Sequence, residues 1–111
     1  MPDFAPLPDP PYWAVIFTAQ RTEGDFGYEA MGDRMFEMAA KQPGYIGVES
    51  ARTDAGLGIT VSYWADEAAL LNWKVVSEHM LAQKLGRERW YSYYTLRIAK
   101  IERHYDGPDS R

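Results

Sequence analysis

The segment Tyr12–Gln20 is apolar on both sides of an extended strand, and this feature constrains the fold most. Alternate residues of a strand point to opposite faces. The two faces would carry Trp13, Val15, Phe17 and Ala19 on one side, and Tyr12, Ala14, Ile16 and Thr18 on the other. Because a strand that is apolar on both faces must be covered on both, the segment predicts helices against one face and a second subunit against the other. A homodimer built by sheet-on-sheet packing is therefore expected.

A first helix is predicted over residues 24–42. Met31, Met35 and Met38 recur at helical spacing and form one apolar stripe, which we interpret as core. Asp25 is expected at or near the N-cap, where a carboxylate can accept backbone N–H bonds.

The remaining periodicities complete a β-α-β-β-α-β order. Strands over 45–52 and 57–64 form a predicted hairpin. A second helical region runs from Glu67 to about Tyr91, interrupted at Gly86, and a last strand covers 93–103. This is the ferredoxin-like order of an α+β domain, an antiparallel sheet with helices on one face.

The 111 residues suit one domain. Five of the seven prolines lie in residues 1–11 and predict an extended N-terminal arm, either a strap or, as expected at a terminus, a loose tail. Residues 12–106 would form the domain and 107–111 a flexible tail.

Composition excludes several classes of protein. The net charge of -4 leaves no basic excess for nucleic acid or for an anionic membrane surface. No apolar run approaches the ~18 residues of a membrane span, and residues 1–11 lack the pattern of a signal peptide. The absence of cysteine, with only two histidines, predicts no metal site, and no glycine-rich phosphate loop or dinucleotide fingerprint is present. A cytoplasmic protein without a cofactor is expected.

Several motifs resemble the antibiotic biosynthesis monooxygenase family over about Tyr12–Tyr105. The motifs are Pro43-Gly44-Tyr45, Val61-Ser62-Tyr63-Trp64, Asn72-Trp73-Lys74, the run 77–83, the run 86–91, Tyr94, Arg97, Ile101-Glu102-Arg103 and Tyr105. The match is most similar to an uncharacterised bacterial branch of that family.

The resemblance implies a dimeric α/β barrel in which two sheets pack face to face. Each subunit would keep a pocket between its sheet and its helices. Family members include cofactor-independent monooxygenases of phenolic or quinol polyketides, quinol oxidisers, haem-degrading proteins and an isomerase. Since one fold carries several reactions, the function has to be argued from the site.

Two branches of the family can be compared with this chain. The polyketide monooxygenases use an Asn, a Trp and a Tyr. Trp64 matches that Trp, whereas Thr60 stands at the Asn position and Leu70 at the Tyr position.

The haem-degrading branch uses an Asn, a Trp and a His. Trp73 matches the Trp, Gln20 stands at the Asn position and Gln83 at the His position. Glutamine cannot replace imidazole as an iron ligand, so haem is disfavoured.

The candidate catalytic residues are His79, Arg97 and Tyr91. His79 would be the general base, although a structural histidine is an equal alternative. Arg97 or Tyr91 would stabilise oxyanion charge. The alternative for Arg97 is a surface salt bridge with Glu88 or Glu102, and the alternative for Tyr91 is a satisfied core hydroxyl. Trp64 and Trp73 would hold an aromatic ring, whereas ordinary core or interface packing is the alternative for each.

A polar-aromatic stripe on the second helical region is the candidate pocket wall. If the helix breaks at Val75–Ser77, then His79, Gln83, Arg87 and Trp90 share one face. Without the break, ~600° of helical rotation leaves Trp73 and His79 ~120° apart around the axis. The stripe could instead be exposed or dimer-facing.

These observations favour a cofactor-independent monooxygenase or related oxidoreductase acting with O₂ on a phenolic or quinol-like small molecule. The alternatives are a non-catalytic small-molecule-binding domain, and a small isomerase or stress protein. The discriminating feature is a base within hydrogen-bond reach of a pocket.

Overall fold

The computed structural model describes residues 4–25, 27–83 and 90–108, and the side chains of the same residues except 81–83. The strands are β1 (Tyr12–Arg21), β2 (Tyr45–Arg52), β3 (Leu57–Trp64) and β4 (Tyr91–Ile101), and the helices are α1 (Tyr28–Ala40) and α2 (Glu67–Gln83). The antiparallel sheet has the order β2-β3-β1-β4. The predicted α+β ferredoxin-like fold is therefore confirmed, and both hairpin strands have the predicted bounds.

The ends of four elements differ from prediction. The second helical region does not reach Tyr91, which begins β4, and α1 ends at Ala40 rather than at residue 42. α1 begins later because Gly27 adopts a left-handed φ of 84° just before it. Asp25 still serves the predicted helix start, since its carboxylate accepts N–H bonds from Gly27 at 2.8 Å and Glu29 at 3.3 Å. β4 begins and ends two residues earlier than the predicted strand 93–103, and β1 extends one residue further, to Arg21.

The core lies between one face of the sheet and the two helices. α1 packs on β2, and α2 packs on β1 and β3. Buried residues form two clusters: Val15, Ala39, Trp64, Ala69, Leu70 and Trp73 in one, and Met31, Met80 and Trp90 in the other. Met35 and Met38 pack against both clusters, which confirms that the methionine stripe is core.

The described part of the N-terminal arm lies on the sheet face opposite the helices. The Ala5 amide donates to Glu49 Oε2 at 3.0 Å. A Cβ at Gly47 would lie only 2.9 Å from the Ala5 Cβ, so the arm approaches β2 closely. Residues 4–11 thus form a strap rather than the loose tail that was expected.

The uncovered part of that face carries exposed apolar side chains, including Leu57 and Ile59, each 45% exposed, and Tyr93. A second subunit would cover these residues. The homodimer remains a prediction. The domain bounds and the cytoplasmic location also remain predictions. Among the described residues, no helix is long and apolar enough to cross a membrane.

Alanine substitutions at Gly44 and Gly32 are expected to change the free energy of unfolding in opposite directions. Gly44 has a φ of 80° and its added Cβ would lie 2.5 Å from the Ala69 Cβ, whereas Gly32 is helical and its Cβ would meet nothing within 4 Å. We expect Gly44→Ala to lower the free energy of unfolding by ~2–3 kcal/mol. Gly32→Ala should raise it by ~0.5–1 kcal/mol. Urea denaturation measures both, and equal effects of the two substitutions would contradict this packing.

Candidate functional site

A cavity of about 410 Å³ lies between the sheet and the two helices. Its size falls in the ~300–1,000 Å³ range of small-molecule sites. The sheet contributes the floor, α1 and α2 form the walls, and Trp90 and Tyr91 close one end. The lining residues are Val15, Phe17, Tyr28, Met31, Gly32, Met35, Phe36, Ala39, Val48, Thr60, Ser62, Trp73, Lys74, Ser77, Glu78, Trp90, Tyr91, Tyr94, Leu96 and Ile98.

The period-two alternation of the strands places the floor residues together. Val15 lies opposite Ser62 and Ile98, and Phe17 lies opposite Thr60 and Leu96. β2 and β4 are the two edge strands, and the described helices pack mainly on β1, β2 and β3. The helix-side residues of β4 are therefore partly exposed, with Leu96 at 39% and Ile98 at 42%, and the cavity reaches them.

The α2 wall combines one aromatic ring with one ion pair. Trp73, Lys74, Ser77 and Glu78 line the cavity, and spacings of three and four place them on neighbouring turns. Lys74 Nζ lies 3.1 Å from Glu78 Oε2, and both side chains are partly exposed. Among the described lining residues, this pair supplies the charged groups at the cavity wall.

Tyr91 places a phenol at the end of the cavity. Its ring makes edge contacts with Phe17 at 5.3 Å and Tyr28 at 5.9 Å between centroids. Burial raises the pKa of Tyr91, the nearby Tyr28 hydroxyl raises it further, and the Arg21 and Arg52 charges oppose the shift. The hydroxyl therefore stays protonated near neutral pH and can donate a hydrogen bond, which suits the predicted role of stabilising an oxyanion.

Two of the three tryptophans predicted at the site, Trp64, Trp73 and Trp90, line the cavity. Trp73 and Trp90 line the cavity. Trp64 does not: it is fully buried behind the wall, stacked on Trp73 with centroids 6.0 Å apart. Its Nε1 donates to Ser62 Oγ at 2.9 Å, and Ser62 lines the cavity. Trp64 thus supports the wall without reaching a ligand, which is the core alternative considered above.

His79 lies outside the cavity. α2 is continuous through Val75–Ser77, so the break that was considered there does not occur. The ~120° separation on an unbroken helix then applies. Trp73 is 9% exposed and faces the core, whereas His79 is exposed and does not line the cavity. The predicted placement of His79 on the pocket wall is therefore wrong.

The other predicted site residues are also dispersed. Arg97 pairs with Ile16 on β1 and lies exposed on the face opposite the helices. Gln20 Nε2 donates to the Ala55 carbonyl at 2.8 Å and ties β1 to the hairpin turn. Arg87 and the side chain of Gln83 lie outside the described residues.

A polar cleft of about 390 Å³ continues the cavity and contains residues that sequence reasoning missed. The cavity and the cleft share six lining residues: Phe17, Tyr28, Gly32, Phe36, Thr60 and Tyr91. The cleft adds Arg21 and Arg52 on the sheet side and Glu29 and Asp33 on α1. The sequence did contain one indication of this site, because each arginine is the last residue of a strand. β1 and β2 both run antiparallel to β3, so they end at the same end of the sheet.

No group of three or more His, Cys, Asp or Glu side chains that could hold a metal is found in the ranges 4–25, 27–83 and 90–108. The expectation of no cofactor stays a prediction.

The fold and its cavity define a class of protein. SnoaB, a cofactor-independent oxygenase from Streptomyces nogalater, has the same fold, with a TM-score of 0.66 at 13% identity over 90% of this chain and 100% of that chain. Jasmonate monooxygenase ABM of Pyricularia oryzae is 33% identical over 43 residues, which are 39% of this chain and 20% of that protein. The predicted resemblance to the antibiotic biosynthesis monooxygenase fold is therefore confirmed.

A longer match identifies the particular family. No protein-family model matches the sequence. YqjZ of Bacillus subtilis, itself uncharacterised, is 47% identical over 104 residues, which cover 93% of this chain and 91% of YqjZ. The chain belongs to the same family as YqjZ.

Proposed function

We propose that the cavity binds a flat, largely apolar aromatic molecule. The observation that carries this proposal is a 410 Å³ space lined by Trp73, Trp90 and Tyr91 together with the Lys74–Glu78 pair. Aromatic walls stack planar ligands, and a few polar groups orient them. Stacking a ligand inside the cavity does not require the residues of its wall to be exposed to bulk solvent.

We propose further that the bound molecule is a phenol or quinol and that the protein is a cofactor-independent monooxygenase. In this scheme Glu78 accepts the phenolic proton. The Lys74 ammonium and the Tyr91 hydroxyl stabilise the resulting phenolate, which is a stronger reductant than the phenol. The presence of a cofactor-independent oxygenase on this fold supports the scheme.

The reaction balances without an external reductant. A ring C–H and the phenol O–H react with O₂ to give a quinone and water. One oxygen atom enters the ring carbon, and the other leaves as water with two hydrogens from the substrate. The substrate supplies all the electrons, so the protein contributes orientation, proton transfer and exclusion of bulk water.

A non-catalytic binding domain is the second candidate. The observation that favours it is the position of His79, since no imidazole lines the cavity among the described residues. In this alternative the cavity would bind the same aromatic class of ligand without turnover.

Oxygen uptake separates the two candidates. The purified protein is mixed with catechol, hydroquinone and 1,4-naphthalenediol, and O₂ consumption is compared with uncatalysed autoxidation. The monooxygenase proposal expects faster uptake and a hydroxyquinone product that carries one ¹⁸O atom from ¹⁸O₂, since simple oxidation of these diols to their quinones incorporates none. Binding detected by quenching of tryptophan fluorescence, with no added O₂ uptake, would instead establish the binding domain.

A further inference from the structure

Two guanidinium groups meet over one ring at the polar end of the cavity. The Arg21 Cζ lies 3.5 Å from the centroid of the Tyr28 ring, and the Arg52 Cζ lies 5.7 Å from the same centroid. The two arginines come from the ends of β1 and β2, which are 31 positions apart in the chain. The sheet therefore brings two like charges to one ring and one cleft.

Neither charge is neutralised by an ion pair within the described residues. The salt bridge found there joins Lys74 and Glu78, and no carboxylate of residues 4–25, 27–83 or 90–108 lies within 4.0 Å of either guanidinium. Glu29 and Asp33 line the opposite, α1 side of the cleft. Glu23, Asp25 and Asp54 line an adjoining polar surface that both arginines share, without an ion pair to either arginine within the described residues. Like charges that are close together and unpaired repel each other, and a bound anion would relieve that repulsion.

The two arginine side chains differ in how they could contact a bound anion. Arg21 is held in place, since its Nε donates to the Trp90 carbonyl at 3.1 Å and its Nη2 to the Gly24 carbonyl at 2.9 Å. The Arg52 guanidinium makes no hydrogen bond within the described residues, so its donors are available. A guanidinium presents a planar set of donors that matches a carboxylate.

The cleft is also continuous with the apolar cavity. Phe17, Tyr28 and Tyr91 are among the residues that line both spaces. A single ligand can therefore place an aromatic body in the cavity and an anionic group in the cleft.

We propose that Arg21 and Arg52 form an anion subsite that binds the carboxylate of an aromatic acid. This inference rests on the proposed function, because the aromatic body occupies the cavity proposed above. It narrows the substrate class from neutral phenols to aromatic molecules that bear a carboxylate side chain.

The test compares charged and neutral ligands of the same shape. The probes are 2-naphthoic, 2-naphthylacetic and 3-(2-naphthyl)propanoic acids, each paired with its primary amide, and 2-naphthylmethylamine. Dissociation constants are measured by isothermal titration calorimetry on the wild type, Arg52→Gln and a control, Arg103→Gln. Arg52 is replaced rather than Arg21 because Arg21 also holds the backbone carbonyls of Trp90 and Gly24.

For at least one chain length, the acid should bind ~10- to 100-fold more tightly than its amide, as expected for charge-assisted hydrogen bonds. Arg52→Gln should remove most of this preference while leaving amide binding in place, and Arg103→Gln should retain it. Equal binding of acid and amide, a preference unchanged in Arg52→Gln, or tighter binding of the amine would overturn the anion subsite and leave the aromatic cavity standing. Binding of none of the probes would overturn both.

Discussion

Replacing Glu78 with glutamine is expected to lower kcat for the oxygenation of a quinol by ~10²–10⁴-fold, the usual contribution of a positioned general base. Glutamine keeps the shape of the side chain but cannot accept a proton. The charged wall of the cavity would then consist of Lys74 alone, since the 3.1 Å pair is lost. The Kd of the ligand should change far less than kcat, because the apolar contacts of the cavity remain.

The matched control is Glu37→Gln on the exposed side of α1, away from the lining residues. It should leave kcat within twofold of wild type. Stability should change little in both variants, because a partly exposed i,i+4 pair contributes only ~0.3–0.5 kcal/mol. Retention of wild-type kcat in Glu78→Gln would remove Glu78 from the mechanism. Loss of kcat in both variants would point to a general electrostatic effect instead.

Trp64→Ala is expected to lower the free energy of unfolding by ~3–5 kcal/mol, the range for a fully buried Trp truncated to Ala. The indole has no exposed surface, stacks on Trp73 and bonds to Ser62. Its loss leaves a void beneath the cavity wall. For a domain of this size, Tm should fall by ~12–20 °C.

Calorimetry and urea denaturation measure the effect. If Trp64→Ala does not fold, Trp64→Phe keeps most of the volume and should still cost ~1–2 kcal/mol, since the Ser62 bond and part of the stacking surface are lost. Tyr105→Ala serves as the control, because Tyr105 is 85% exposed and its removal should cost no more than ~0.5 kcal/mol. A Trp64→Ala variant as stable as the control would show that Trp64 is not part of the core.

The strands and their faces could be predicted from sequence because their signals are local. The hairpin strands 45–52 and 57–64 are confirmed to the residue, and the two-sided apolar pattern of β1 correctly placed Val15 and Phe17 on one face. The start of α1 was less predictable, because the left-handed Gly27 delays this helix with no change in the apolar pattern. The start of α2 at Glu67 was predicted correctly.

The candidate site was harder to predict because its residues depend on the rotation of one helix. Three lining residues, Trp73, Trp90 and Tyr91, were among those predicted, yet His79 does not line the cavity. The helical wheel already separates Trp73 from His79 by ~120°, and only an assumed break at Val75–Ser77 brought them together. β-branched residues have lower helix propensity, but packing of α2 on β1 and β3 outweighs that preference.

The sequence by itself therefore determined the element order, the strand faces and the methionine core, since each follows from a period of 2 or 3.6 residues within one segment. Only the tertiary structure decided that Glu78 rather than His79 faces the cavity, and that Arg21 and Arg52 meet over Tyr28. The physical reason is that these contacts join segments distant in the chain. Their geometry depends on the order of the strands and on how each helix packs on the sheet, which no local periodicity encodes.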